Sequence, residues 1–149
     1  MSTLENGKFM QEEKVIKMWG VVKNMVNIEY INPGTPVAGP YTPGVKIGNF
    51  LFVSGQGPAA GTDNIKDQTQ TVLDNIKKIV ETAGSKVSNI VKTTVFLSDI
   101  KNFGKMNRTY QKFFDENGAE GKYPARTTVQ VANLPAAGML VEIEAIVVI

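Results

Sequence analysis

The order and spacing of apolar residues predict an α+β domain in which two helices pack on one face of a mixed sheet. Period-two runs read as strands, two segments of period 3.6 read as amphipathic helices, and the chain length fits one core. At 149 residues, 42% of them hydrophobic, a second sizeable domain has no room.

Val26, Ile28 and Tyr30 alternate with Asn27 and Glu29, a half-buried strand closed by Asn32-Pro33-Gly34. A Pro/Gly-rich loop then runs to Pro43-Gly44, the kind of positioned surface loop that often carries function. Val45 to Ile47, the turn pair Gly48-Asn49, and Phe50 to Gly55 read as a hairpin, followed by a second Gly/Pro loop from Gln56 to Thr62. Asp67 opens a helix with Val72, Ile76, Ile79, Val80 and Ala83 on one face, and Gly84 stops it. Ile90 to Leu97 is a β-branched strand. Phe103, Met106, Tyr110, Phe113 and Phe114 mark a second helix that ends near Gly118. Tyr123-Pro124 leads into a strand from Arg126 to Val131, Leu134-Pro135 and Gly138 make a turn, and Val141, Ile143, Ala145, Val147 and Ile149 alternate in the last strand. Helices on one face leave the other bare, and its Val, Ile and Phe residues predict closure by self-association.

Residues 1–22 stand apart from this pattern. Gln11-Glu12-Glu13 precedes Val15, Met18, Trp19 and Val22 at the spacing of a short amphipathic helix, so 1–22 reads as an extension and 23–149 as the domain. Its acidic residues argue against a mitochondrial presequence, and it has no apolar stretch of a secretory signal. The longest apolar runs, such as Leu51-Phe52-Val53, fall far short of the roughly 20 residues of a membrane span. The expectation is a soluble, cytoplasmic protein without a membrane partner.

Composition narrows the chemistry. The chain has no cysteine and no histidine, which removes thiolate and histidine-based nucleophilic catalysis and the commonest metal ligands. No metal site is expected. Sixteen Lys and Arg against 14 Asp and Glu leave a net charge of +2, with no basic stripe, which argues against a nucleic-acid partner.

Seven stretches resemble the RidA (YjgF) family, in order and over the chain from about Ile31 onward. They are Gly39-Pro40-Tyr41 with Gly44, Val53-Ser54-Gly55-Gln56, and Leu73-Asp74-Asn75-Ile76 leading to Ala83-Gly84. Next come Ile90 to Leu97, Met106-Asn107-Arg108-Thr109-Tyr110 with Phe113-Phe114, Tyr123-Pro124-Ala125-Arg126, and Val141-Glu142-Ile143-Glu144-Ala145. The resemblance implies a chorismate-mutase-like fold of the bacillus type: a six-stranded mixed sheet with two helices on one face. It also implies a homotrimer around a central barrel, with active sites in the clefts between subunits. The implied reaction is hydrolytic deamination of 2-aminoacrylate, 2-iminopropanoate and 2-iminobutanoate to 2-keto acids and ammonia, with no cofactor.

Residue roles follow from the same resemblance. Arg126 is marked as the anchor for the substrate carboxylate, since a guanidinium fork matches a carboxylate bidentately. Glu142 is marked as the group that positions or activates water, with Glu144 as its substitute. Tyr41, Ser54 and Asn107 match cleft-lining positions, and Gly55 a point where the backbone approaches the substrate. Many members carry Cys or Ser two residues after the arginine; this chain has Thr128, which keeps a hydroxyl but no thiol. From the residues alone, Arg126 reads first as a solvated strand residue, and Glu142 with Glu144 as the solvated face of the last strand. An endoribonuclease or translation inhibitor, and a non-catalytic trimer that binds small acids, are the competing functions.

Overall fold

The computed structural model describes residues 26–149, so the helix expected within 1–22 lies outside the described residues. Eight main elements follow in order: β1 (Ile28–Ile31), β2 (Gly44–Ile47), β3 (Phe50–Gln56), α1 (Ile65–Thr82), β4 (Ile90–Leu97), α2 (Phe103–Phe114), β5 (Ala125–Gln130) and β6 (Val141–Val148). The strands form one mixed sheet of six in the order β1-β2-β3-β6-β4-β5. Every neighbouring pair is antiparallel except β4 and β5, which run parallel because α2 carries the chain back between them.

Element boundaries move by a few residues for local reasons. Helix α1 begins at Ile65, ahead of the expected Asp67, because Asn64 caps it. The Asn64 side-chain oxygen accepts from the Asp67 amide at 2.9 Å, and its amide donates to the Asp67 carboxylate at 2.7 Å. Strand β1 starts at Ile28 and not at Val26, because Ile28 already faces Ile47, the last residue of β2. Helix α2 gives way after Phe114 to a wider turn over Asp115–Ala119, where Gly118 takes a φ of 79° and ends it as expected.

Both helices lie under the same sheet face. Leu51 and Val53 of β3, Val95 and Leu97 of β4, and Ile143, Ala145 and Val147 of β6 pack on Val72, Ile76, Ile79 and Val80 of α1 and on Met106, Phe113 and Phe114 of α2. Tyr110 joins α2 to β4 through its hydroxyl, 2.7 Å from that of Thr93. The opposite face carries Ile28, Tyr30, Phe50, Phe52, Val129 and Val148, all exposed, with Phe50 and Phe52 at 48% and 46%. Among the described residues, no helix is long and apolar enough to cross a membrane.

Helix α1 packs tightly on β2 at Gly44, where a Cβ would meet Ile79 Cγ2 at 2.9 Å and Leu51 Cδ1 at 3.1 Å. Gly44→Ala should therefore cost about 1–3 kcal/mol of stability by overpacking. Urea unfolding measures this, and an unchanged midpoint would mean that α1 is free to lift away from β2.

Candidate active site

The expected site residues fall into two clusters. Strand β5 sends Arg126, Thr128 and Gln130 toward the helices, since Arg126 and Thr128 pair with the buried Thr93 and Val95 of β4. The Arg126 guanidinium lies over the Tyr110 ring, 4.6 Å from its centroid, and 5.7 Å from that of Phe103. Its Nη2 donates to Asn107 Oδ1 at 2.7 Å. Asn107 and Tyr110 stand three residues apart on α2, so both reach the same guanidinium from one helix face.

These partners orient the cation without neutralising it. Among the described residues the ion pairs are Lys46–Glu29, Lys77–Glu81 and Lys112–Glu116, and none involves Arg126. A half-buried guanidinium with only neutral neighbours favours an anion in the remaining space. That space is a cleft of about 340 Å³, walled by Asn107, Tyr110, Gln111, Tyr123 and Pro124 around Arg126. Two residues along the strand, the Thr128 hydroxyl is buried with no hydrogen-bond partner. Burial pushes the Tyr110 phenol above its ordinary range, although its bond with Thr93 and the Arg126 charge oppose the rise.

The second cluster surrounds Glu142. Tyr41, Ser54, Gly55, Glu142 and Glu144 line a cleft of about 600 Å³, with Pro135, Ala136 and Met139 on its far wall. Ser54 donates its hydroxyl proton to Thr42 O at 2.7 Å, and its amide donates to Pro43 O at 2.9 Å. The serine thus ties the Tyr41 loop to β3, and with its proton donated to Thr42 its hydroxyl oxygen keeps acceptor capacity.

Gly55 sits where the β3–β6 register shifts, between Val53 and Gln56. The Glu142 side chain packs directly on it: a Cβ on Gly55 would overlap the carboxylate oxygen, with Cδ at 3.0 Å and Cγ at 3.2 Å. Glycine is required there to seat the carboxylate. Burial raises the Glu142 carboxyl above its ordinary pKa, and the charge of Glu144, on the same strand face, raises it further.

One chain does not unite the clusters. Glu142 faces Phe96 and Arg126 faces Thr93, so β4 lies between them and strand spacing alone separates them by about 10 Å. They also point to opposite faces: Glu142 with the bare side, Arg126 with the helices. Tyr110 and Phe103, core positions by their helical period, are the aromatic partners of the cation. Their spacing of three and four residues from Asn107 was the signal that could have marked them.

A single sheet on two helices, with an unneutralised guanidinium in one cleft and a carboxyl of raised proton affinity in another, defines a small α+β domain suited to acid–base chemistry on an anionic ligand. The family model described as Endoribonuclease L-PSP matches residues 33–149. The chain is 47% identical over 115 residues to the 2-iminobutanoate/2-iminopropanoate deaminase of Escherichia coli, an alignment covering 74% of this chain and 88% of that protein. A RutC family protein of Pyrococcus horikoshii is 46% identical over 114 residues, covering 72% and 86%. The crystal structure of E. coli TdcF with bound serine superposes with a TM-score of 0.75 at 41% identity, over 81% of this chain and 98% of that one. The chain belongs to this family, the RidA (YjgF) family of the sequence resemblance.

The raised Glu142 carboxyl sets the sign of a stability effect. A carboxyl with a higher pKa folded than unfolded costs stability while ionised, and the cost fades as pH falls and both states take the proton. Glu142→Gln should unfold at a higher temperature than the parent at pH 7, with the gap closing toward about pH 4. A gap that widened on acidification would contradict the raised carboxyl.

Proposed function

We propose that this protein hydrolyses reactive 2-imino acids, 2-iminopropanoate and 2-iminobutanoate with their enamine forms such as 2-aminoacrylate, to 2-keto acids and ammonia. The observation that carries the reading is Arg126, a half-buried guanidinium oriented by Tyr110 and Asn107 and lacking a carboxylate partner among the described residues. The identity to relatives named as deaminases of these compounds supports the same substrates.

In this reading Arg126 clamps the substrate carboxylate, and the unpartnered Thr128 hydroxyl donates to the same group. Glu142 holds a water against the imine carbon and accepts its proton as the C–O bond forms, while the C=N electrons move to nitrogen. Glu142 returns that proton to the nitrogen to give a carbinolamine, then takes the new hydroxyl proton and passes it to the same nitrogen as the C–N bond breaks, which leaves keto acid and ammonia. Raised proton affinity suits Glu142 to both halves of this transfer. Tyr41 borders the reacting end, and Ser54 offers its hydroxyl oxygen to the water or the nitrogen. The residues assigned to these steps require no cofactor.

We further propose a homotrimer whose bare sheet faces line a central barrel, with each cleft joining the Arg126 cluster of one copy to the Glu142 cluster of the next. The separation of the clusters within one chain supports this, as does the exposed apolar face around Phe50 and Phe52. Residues 1–22 are proposed as an extension outside the domain, and the location as cytoplasmic.

The test is release of keto acid when the protein is added to a dehydratase that generates 2-iminobutanoate from threonine. Arg126→Ala should lose roughly 2–5 kcal/mol of transition-state binding, and Arg126→Lys should recover only a small part because it lacks the planar fork. Glu142→Gln should lower kcat with little change in KM. Release no faster than spontaneous hydrolysis by the wild-type chain, or wild-type turnover by a folded Arg126→Ala variant, would overturn the assignment.

A further inference from the structure

Gln68, on the first turns of α1, is 1% exposed and the largest polar side chain in the described core. Its amide nitrogen donates to Thr62 O at 2.9 Å and to Gly138 O at 2.8 Å, and its oxygen accepts from the Leu140 amide at 2.7 Å. Both amide protons and an acceptor site are in use. The three partners come from two loops far apart in sequence, 57–64 and 131–140. Those loops wall the Glu142 cleft: Gly57 lines it from one, and Pro135, Ala136 and Met139 from the other. They also meet, since a Cβ on Gly57 would lie 2.9 Å from Met139 Cε. Leu140 is two residues ahead of Glu142, so the bond to its amide fixes the backbone that enters β6.

An apolar side chain of equal size would fill the same volume and leave two carbonyls and an N–H without partners. The loops would then have to shift to find water. The cost of burying an amide is met here by bonds that all lead to one cleft, and none leads to the Arg126 cluster.

We propose that Gln68 is a positioning residue for Glu142, holding both walls of its cleft and the start of β6 so that the carboxylate stays seated against Gly55. The kinetic part of this inference rests on the hydrolase reading. The experiment is a double-mutant cycle in the full chain, with Gln68→Met and Gln68→Glu made alone and with Glu142→Gln, assayed on 2-iminobutanoate. Gln68→Met should lower kcat about tenfold and move KM less than about twofold, because the carboxylate anchor lies elsewhere. Gln68→Glu, which as a protonated carboxyl keeps the Leu140 bond and one donated bond, should fall between Gln68→Met and the parent, and it serves if the methionine variant fails to fold.

Adding either change to Glu142→Gln should cost almost nothing more, since the residue it positions has already lost its function. Fully additive losses, or a raised KM at unchanged kcat, would overturn the inference. A readout independent of turnover separates this from failure of the hydrolase reading: the Glu142 carboxyl titration followed by NMR. Loosened walls admit water, so its midpoint should fall in Gln68→Met, with Glu144 still present. An unmoved titration would overturn the positioning role even if the wild-type chain hydrolysed no imine.

Discussion

A sheet has two faces, and in this chain both helices cover the same one. Every other feature of the site depends on that arrangement. Alternation along β5 and β6 sends Arg126 down toward α2 and Glu142 up toward the bare side, and β4 stands between the two strands. No rotamer brings a guanidinium and a carboxylate together through a packed strand. The same asymmetry leaves Phe50, Phe52 and their neighbours in water, an apolar surface that a second copy would cover. The proposed assembly and the proposed division of the site thus share one structural origin.

Each cluster is prepared by its neighbours for a different task. Arg126 meets an aromatic face and an amide oxygen, partners that fix its direction without cancelling its charge. Glu142 meets burial and a second carboxylate, which raise its affinity for a proton. In the proposed trimer, an anionic substrate held by the first would bring its imine carbon to the second cluster of the neighbouring copy. Glycine at position 55 and the serine tie at 54 seat the carboxylate, while Gln68 joins the loops beyond it. The proposed acid–base group therefore rests on the sheet and α1, and the proposed anchor on β5 and α2.

Much of this was legible in the sequence, and the reasons for the rest are physical. Period-two and period-3.6 patterns depend only on which side chains face the core, so the strands and helices followed from them. The cap at Asn64 was missed because Asp67, itself half of that cap, was an adequate start signal. The packing of Glu142 against Gly55 was not legible, because a sequence does not say which side chain fills the space a glycine leaves. Tyr110 and Gln68 occupy helix positions that predict burial, and burial alone does not reveal a cation above a ring or a three-bond tie between loops. The motifs marked Arg126 and Glu142, and only the strand order showed how far apart one chain holds them.

The division of the site between copies has a direct test in subunit complementation. Arg126→Ala and Glu142→Gln proteins, each strongly impaired alone, are unfolded together in equal amounts, refolded as mixed trimers and assayed on 2-iminobutanoate. Random assembly pairs an intact Arg126 with an intact Glu142 at about one cleft in four, so roughly a quarter of wild-type activity should return. Activity no greater than the sum of the two separate variants, in trimers shown to contain both chains, would contradict a site shared between subunits.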